Sequence, residues 1–194
     1  MSPHRDDALW LKRGRQRAAV AQVLRKPMTP AQICSAARLI NPRIQLRDIW
    51  FIARGLRDRG LLRCLNPTHT TGKLYGLTDR GREAVERVFG LKFDPVSSGV
   101  NWNKYAQVVR AKTRRLVLLE LTRLQQAGSV SATATTIRKS LLDRHAMGLN
   151  PTIRALKDLE RLGLVRPSSI GKRHGRTGYR LTRAGTAVAQ ELQR

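Results

Sequence analysis

Apolar residues recur at intervals of three and four through most of the chain, the mark of helices that each bury one stripe, and give way to short strands in two places. The first half predicts a helix from Asp6 to Arg25, with Trp10, Ala18, Ala19, Val20, Val23 and Leu24 as its stripe, ended by Lys26-Pro27-Met28. Thr29-Pro30-Ala31-Gln32 opens a second helix. Its threonine accepts from first-turn amides, its proline sits where no amide is missed, and its glutamine reaches back to the cap. Ile33, Ala36, Ala37 and Ile40 face inward, and Asn41-Pro42 stops it. A third helix, from about Ile44 to Arg59, has Ile49, Ile52, Ala53 and Leu56 as its core face. Gly60 ends that helix where positive φ is needed. A strand from Leu61 to Leu65 then meets the turn formers Asn66 to Gly72 and returns as Lys73 to Leu77. Thr78 caps a closing helix from Asp79 to Phe89.

The second half predicts the same order. Val108, Val109, Leu116, Leu118, Leu119, Leu121 and Leu124 make one long helix, broken by Ala127-Gly128-Ser129, and Thr133 to Asp143 makes a second. Gly148-Leu149-Asn150-Pro151 starts a third, with Asn150 as cap and Pro151 in the first helical position. Its buried face reads Ile153, Leu156, Leu159 and Leu162, and its exposed face Thr152, Arg154, Lys157 and Arg161. A strand pair and a closing helix from Thr182 to Arg194 follow.

The repetition extends to residue identity. Gly60-Leu61-Leu62-Arg63 returns as Gly163-Leu164-Val165-Arg166, and Tyr75-Gly76-Leu77-Thr78-Asp79-Arg80-Gly81 as Tyr179-Arg180-Leu181-Thr182-Arg183-Ala184-Gly185. The offset is 103 at the first block and 104 at the second, so the length change falls in the loop between two strands, where an insertion costs little. A period near half the chain means a duplicated domain. The expected boundaries are 1–89 for the first domain, 90–102 for a linker rich in Gly, Ser and Pro, and 103–194 for the second. Phe93 and Val96 predict that the linker docks on a domain.

Charge then narrows the class of partner. Among 194 residues, 38 Lys+Arg stand against 13 Asp+Glu, a net +25, and 29 of the basic residues are arginine. Residues 1–99 carry +11 and residues 100–194 carry +14, so both halves are basic. Balanced charges would solubilise as well without self-repulsion, so a polyanion is the better reading, and nucleic acid the commonest polyanion.

Helix, helix, helix, two-stranded hairpin, helix, with the Tyr-x-Leu-Thr-x-x-Gly corner, resembles the winged helix-turn-helix domains of MarR- and PadR-like regulators and of many small archaeal regulators. The resemblance covers roughly Gln16 to Val88 and Tyr105 to Leu192. It implies a mainly α fold with small β-hairpin wings (α+β), two consecutive winged helices, and third helices that meet the major groove of double-stranded DNA. On that reading Arg47 contacts a base, Arg43 and Arg54 contact phosphates, and the second domain offers Thr152, Arg154, Lys157 and Arg161. The second wing adds Lys172, Arg173, His174 and Arg176 on a glycine-rich tip. Trp50 and Phe51 stand where DNA readers are usually polar, and either a protein contact or stacking accounts for them. The implied function is a transcriptional regulator or chromatin-associated factor. The alternatives are a basic protein on structured RNA or the ribosome, and an adaptor in a larger transcription or replication assembly. A homodimer through the long helix of the second half is a further option for partner.

Other chemistries find little in the sequence. No phosphate-binding glycine loop, nucleophile elbow or carboxylate pair of recognisable spacing is present, so no enzyme activity, catalytic residue or cofactor is expected. Cys34 and Cys64 read as free thiols or, alternatively, a disulfide, and no spacing of Cys and His fits a metal. No apolar run nears the ~20 residues of a spanning helix, and no signal core opens the chain. No membrane partner is expected, and the location is cytoplasmic, at the nucleoid if DNA is the ligand.

Overall fold

A computed structural model of the chain describes residues 3–93, 99–142, 144–169 and 177–193. The fold is mainly helical with small antiparallel sheets, an α+β arrangement. It divides into two units, Met1–Val96 and Ser97–Arg194.

The first unit runs α1 (Pro3–Arg13), α2 (Arg15–Val23), α3 (Pro30–Ala37), α4 (Leu46–Asp58), β1 (Leu62–Cys64), β2 (Tyr75–Leu77) and α5 (Asp79–Phe89). The single helix expected from Asp6 to Arg25 is therefore two. Gly14, a poor helix former, is extended (φ −112°, ψ 100°) and turns the chain between them. The corner lets α1 lie along α5 while α2 packs on α3. Buried Asp7 fastens the first of these contacts, accepting from Arg80 Nε at 2.7 Å and Nη2 at 2.6 Å, with Arg59 Nη1 3.5 Å away. The capping box of α3 forms as its sequence requires: Gln32 N donates to Thr29 Oγ1 at 3.4 Å and Thr29 N to Gln32 Oε1 at 2.9 Å. Leu11, Val20, Ile33, Ile49, Leu56, Leu61 and Val85 fill the core. Phe93 packs against it and its amide donates to Glu86 Oε1 at 3.2 Å, so the start of the expected linker docks here; Val96 lies outside the described residues.

The second unit runs α6 (Trp102–Val109), α7 (Lys112–Gln126), β3 (Ala132–Thr133), α8 (Ala134–Leu142), α9 (Leu149–Arg161), β4 (Val165–Ser169), β5 (Thr177–Leu181) and α10 (Arg183–Gln193). The long helix expected through Leu124 is also two, parted where Ala111 is extended (φ −117°, ψ 105°). Alanine does not break helices. The break serves packing, since α6 buries Tyr105, Ala106 and Val108 while α7 buries Val117, Leu118 and Leu121, and tertiary contacts override propensity. Burial, then the charge of Glu191, pushes the Tyr105 hydroxyl up to about 12 against the pull of Arg115. Glu120 on α7 is buried and accepts through Oε1 from Arg123 Nη2 at 2.7 Å and from Ser140 Oγ of α8 at 2.5 Å. Burial alone would raise its carboxyl, but these hydrogen bonds and the charges of Arg123 and Arg144 outweigh that and hold it below the usual range.

The duplicated motif recurs atom by atom. Gly60 and Gly163 take φ of 69° and 63° after α4 and α9. Thr78 Oγ1 donates to Gly60 O at 2.6 Å, and Thr182 Oγ1 to Gly163 O at 2.7 Å. The same hydroxyls accept from Gly81 N at 3.0 Å and Gly185 N at 3.1 Å, capping α5 and α10. A Cβ at Gly81 would overlap the Leu61 carbonyl oxygen, and one at Gly185 that of Leu164. Glycine thus lets the closing helix sit directly on the first strand.

Each unit also carries a strand contact that the apolar pattern did not announce. Met28 and Tyr75 exchange backbone hydrogen bonds of 2.9 Å and 2.9 Å. In the second unit β3 pairs with β5, Ala132 opposite Tyr179, in a sheet of order β3-β5-β4. Thr133 was expected in a helix. Instead it ends this strand, and α8 begins one residue later.

Candidate nucleic-acid interface

Helices α4 and α9 are both 13 residues long, and both of their ends lie 103 positions apart. Position by position, Ile49 corresponds to Thr152, Trp50 to Ile153, Phe51 to Arg154, Arg54 to Lys157 and Asp58 to Arg161.

That correspondence corrects the second unit's expected face. Thr152 stands where Ile49 stands, is fully buried, and donates from Oγ1 to Gly148 O at 3.0 Å. It is not available to a ligand. Asn150 is not the cap and Pro151 is not the first helical residue: Gly148 occupies the cap position and α9 begins at Leu149. Thr152, Ala155, Leu156 and Leu159, spaced i, i+3, i+4 and i+7, face the core, while Arg154, Lys157 and Arg161 are exposed. Arg161 Nη1 lies 3.4 Å from Asp158 Oδ1. Among the described residues, no carboxylate pairs with Arg154 or Lys157.

On α4, Arg47 and Arg54 form an outward ridge. Each has a carboxylate nearby, Asp48 at 3.9 Å and Asp58 at 4.0 Å, in exposed pairs that hold little energy and leave the arginines available. Arg43 precedes the helix and is exposed, its amide donating to Asn41 Oδ1 at 3.2 Å. Trp50 and Phe51 are both exposed, at 49% and 75%. They flank the ridge on opposite sides. Trp50 lines a concavity of about 610 Å³ with Arg54, Arg57 and the hairpin's Lys73 and Tyr75. Phe51 lines another of about 420 Å³ toward the α1–α2 corner, with Trp10, Arg15, Arg17, Ile52 and Gly55. Trp10 itself is held by local contacts. The Arg17 and Arg59 guanidiniums stack on its ring at 4.1 and 4.5 Å, and Arg17 Nε donates to Trp10 O at 2.6 Å. Burial and then the charge of Arg59 lower the Arg17 guanidinium from its ordinary value.

The sheet of the second unit holds a pair that sequence reading passed over. Arg166 and Arg180 stand directly opposite one another on β4 and β5, whereas Arg63 faces Gly76 in the first unit. Like charges placed directly opposite on adjacent strands repel. Arg166 is exposed, and Arg180 Nε is shielded without a hydrogen-bond partner among the described residues. Strand register was the missing signal, since the offset changes inside the intervening loop. Lys172, Arg173, His174 and Arg176 lie between the two strands, outside the described residues.

The first hairpin loop is built around buried Asn66, which donates from Nδ2 to Gly72 O at 3.1 Å and accepts from Leu74 N at 2.6 Å. Lys73 Nζ is turned to Pro67 O at 2.8 Å. Cys34 is buried, Cys64 half-buried, and both are free thiols. Among the described residues no group of His, Cys, Asp and Glu could hold a metal, and no helix is long and apolar enough to cross a membrane. The chain matches no protein-family model and none of the curated proteins.

Proposed function

We propose that this chain is a tandem winged-helix protein that binds double-stranded DNA, as a transcriptional regulator or chromatin-associated factor. The observation that carries the reading is the outward face of α9, where Arg154 and Lys157 stand exposed, with no carboxylate partner among the described residues, on a helix whose opposite face is buried. A helix of that width fits the major groove, and arginine forks match guanine edges and phosphates. Arg166 and Arg180 add a phosphate position on the adjoining sheet, and the 170–176 segment adds Lys172, Arg173, His174 and Arg176. In the first unit Arg47 supplies a base contact and Arg43 and Arg54 further backbone contacts. Two units in one chain raise the effective concentration of the second contact once the first has formed.

The test is competition between duplex DNA and a folded RNA for the full chain, with Arg154→Ala alongside. Duplex is expected to win, and Arg154→Ala to reduce discrimination among duplex sequences by about 1–3 kcal/mol. RNA winning at every salt concentration would assign the same basic surface to structured RNA or the ribosome.

A further inference from the structure

The duplicated units diverge most where their third helices face outward. At the position of Arg154 the first unit has Phe51, three-quarters exposed, and the surface around it is a groove rather than a bare patch. Its floor is Phe51, Ile52, Gly55 and the edge of Trp10; its rim is Arg15 and Arg17. We propose that this groove docks an acidic amphipathic helix of a partner protein.

Each property of the groove selects that occupant. Its apolar floor would be left without complement in a DNA major groove, where thymine methyls are the main apolar feature. The charged residues lining it are both arginines, and Arg47 and Arg54 stand on the ridge beside them, so the partner must carry carboxylates. A second copy of the chain does not meet that need, because a two-fold contact would set these arginines against their own counterparts. Single-stranded nucleic acid meets the charge but not the floor: Arg17 and Arg59 already stack on Trp10, so a base has Phe51 alone as a platform. A small acid would remain largely exposed against a wall as open as Phe51, whereas bound small molecules are mostly enclosed. A helix suits the shape. Gly55 leaves the middle of α4 without a side chain, and a Cβ there would reach the Trp10 ring at 3.9 Å. The groove therefore runs past α4 without a side chain at this point, and α4, about 20 Å long, matches the apolar stripe of a short partner helix.

The probe is a fluorescein-labelled synthetic peptide of about 18 residues, with leucines at i, i+3, i+4 and i+7 and glutamates elsewhere. A second peptide has the same composition with the leucines scrambled. Anisotropy is measured on the full chain near physiological salt. The patterned peptide is expected to bind at least about tenfold tighter than the scrambled one, and Phe51→Ala to remove that advantage. Because Phe51 is exposed, the variant should keep its fold, which duplex-DNA affinity within about twofold of wild type would register independently. Gly55→Leu, which fills the groove, should block the patterned peptide in the same way. Equal binding of the two peptides would reduce the effect to charge and overturn the proposal. So would tighter binding of a single-stranded dT oligonucleotide that is lost in Phe51→Ala, or an equal loss of duplex affinity in that variant, since either would give the groove to nucleic acid.

Discussion

Gly81 and Gly185 show how a single missing Cβ sets the geometry of a unit. Each lies in the first turn of a closing helix, where a methyl group would meet a strand carbonyl oxygen, and a backbone atom cannot give way as a side chain can. Gly185→Ala should therefore destabilise the protein by about 3 kcal/mol, measured by urea unfolding of the full chain. Gly128→Ala, with φ of 94° but open space around it, should cost about 1 kcal/mol. Glu120 makes a second residue-scale claim. Its folded carboxyl sits below the ordinary 4.5, so its contribution to stability is fully present above that value and is lost as pH falls through the folded one. Glu120→Gln keeps an acceptor for Arg123 and Ser140 but cannot ionise. It should melt below wild type at pH 7, with the gap closing as pH falls through and below the ordinary carboxylate range. A gap independent of pH would show that the charge does not matter. Thr152 marks the limit of reading residues alone: a threonine in a basic stretch reads as polar surface, and only the packing shows it on the core face, with its hydroxyl bonded to Gly148 O.

At the scale of elements, the parts legible in sequence were those fixed by local chemistry. The capping box at Thr29, the glycine stops after α4 and α9, and the threonine caps of α5 and α10 each depend on a few adjacent residues, and each forms. The illegible parts were set by distant partners. The break at Ala111 answers to packing, and the contacts of Met28 and Ala132 with their tyrosines are too short to carry a period. Cross-strand register belongs with these, and with it the opposition of Arg166 and Arg180. If that opposition serves an anion, Arg166→Ala should act with opposite signs on stability and binding. Thermal stability should rise by up to about 0.5 kcal/mol as the repulsion is relieved. The salt slope of duplex binding should meanwhile fall by about 1. A variant that loses stability and keeps its slope would make Arg166 a packing residue.

For the whole molecule, duplication supplied one scaffold twice, and the outward faces then took different residues. The second unit presents exposed basic side chains on α9, and the first sets an arginine ridge between two aromatic-lined concavities on α4. The doubled motif made the scaffold visible before any coordinates. The groove beside Phe51 was not visible, because its walls come from residues about forty positions apart. Both halves carry a large positive charge, and the central claim is that this charge meets the phosphates of a DNA duplex. The most direct measurement is the affinity of the full chain for duplex DNA as salt is raised. If 6–10 phosphates are neutralised, affinity should fall about 10³–10⁵-fold between 50 and 200 mM, linearly on logarithmic axes. A nearly flat line over that range would contradict the account, because contacts that neutralise phosphates release counterions and must give a steep slope.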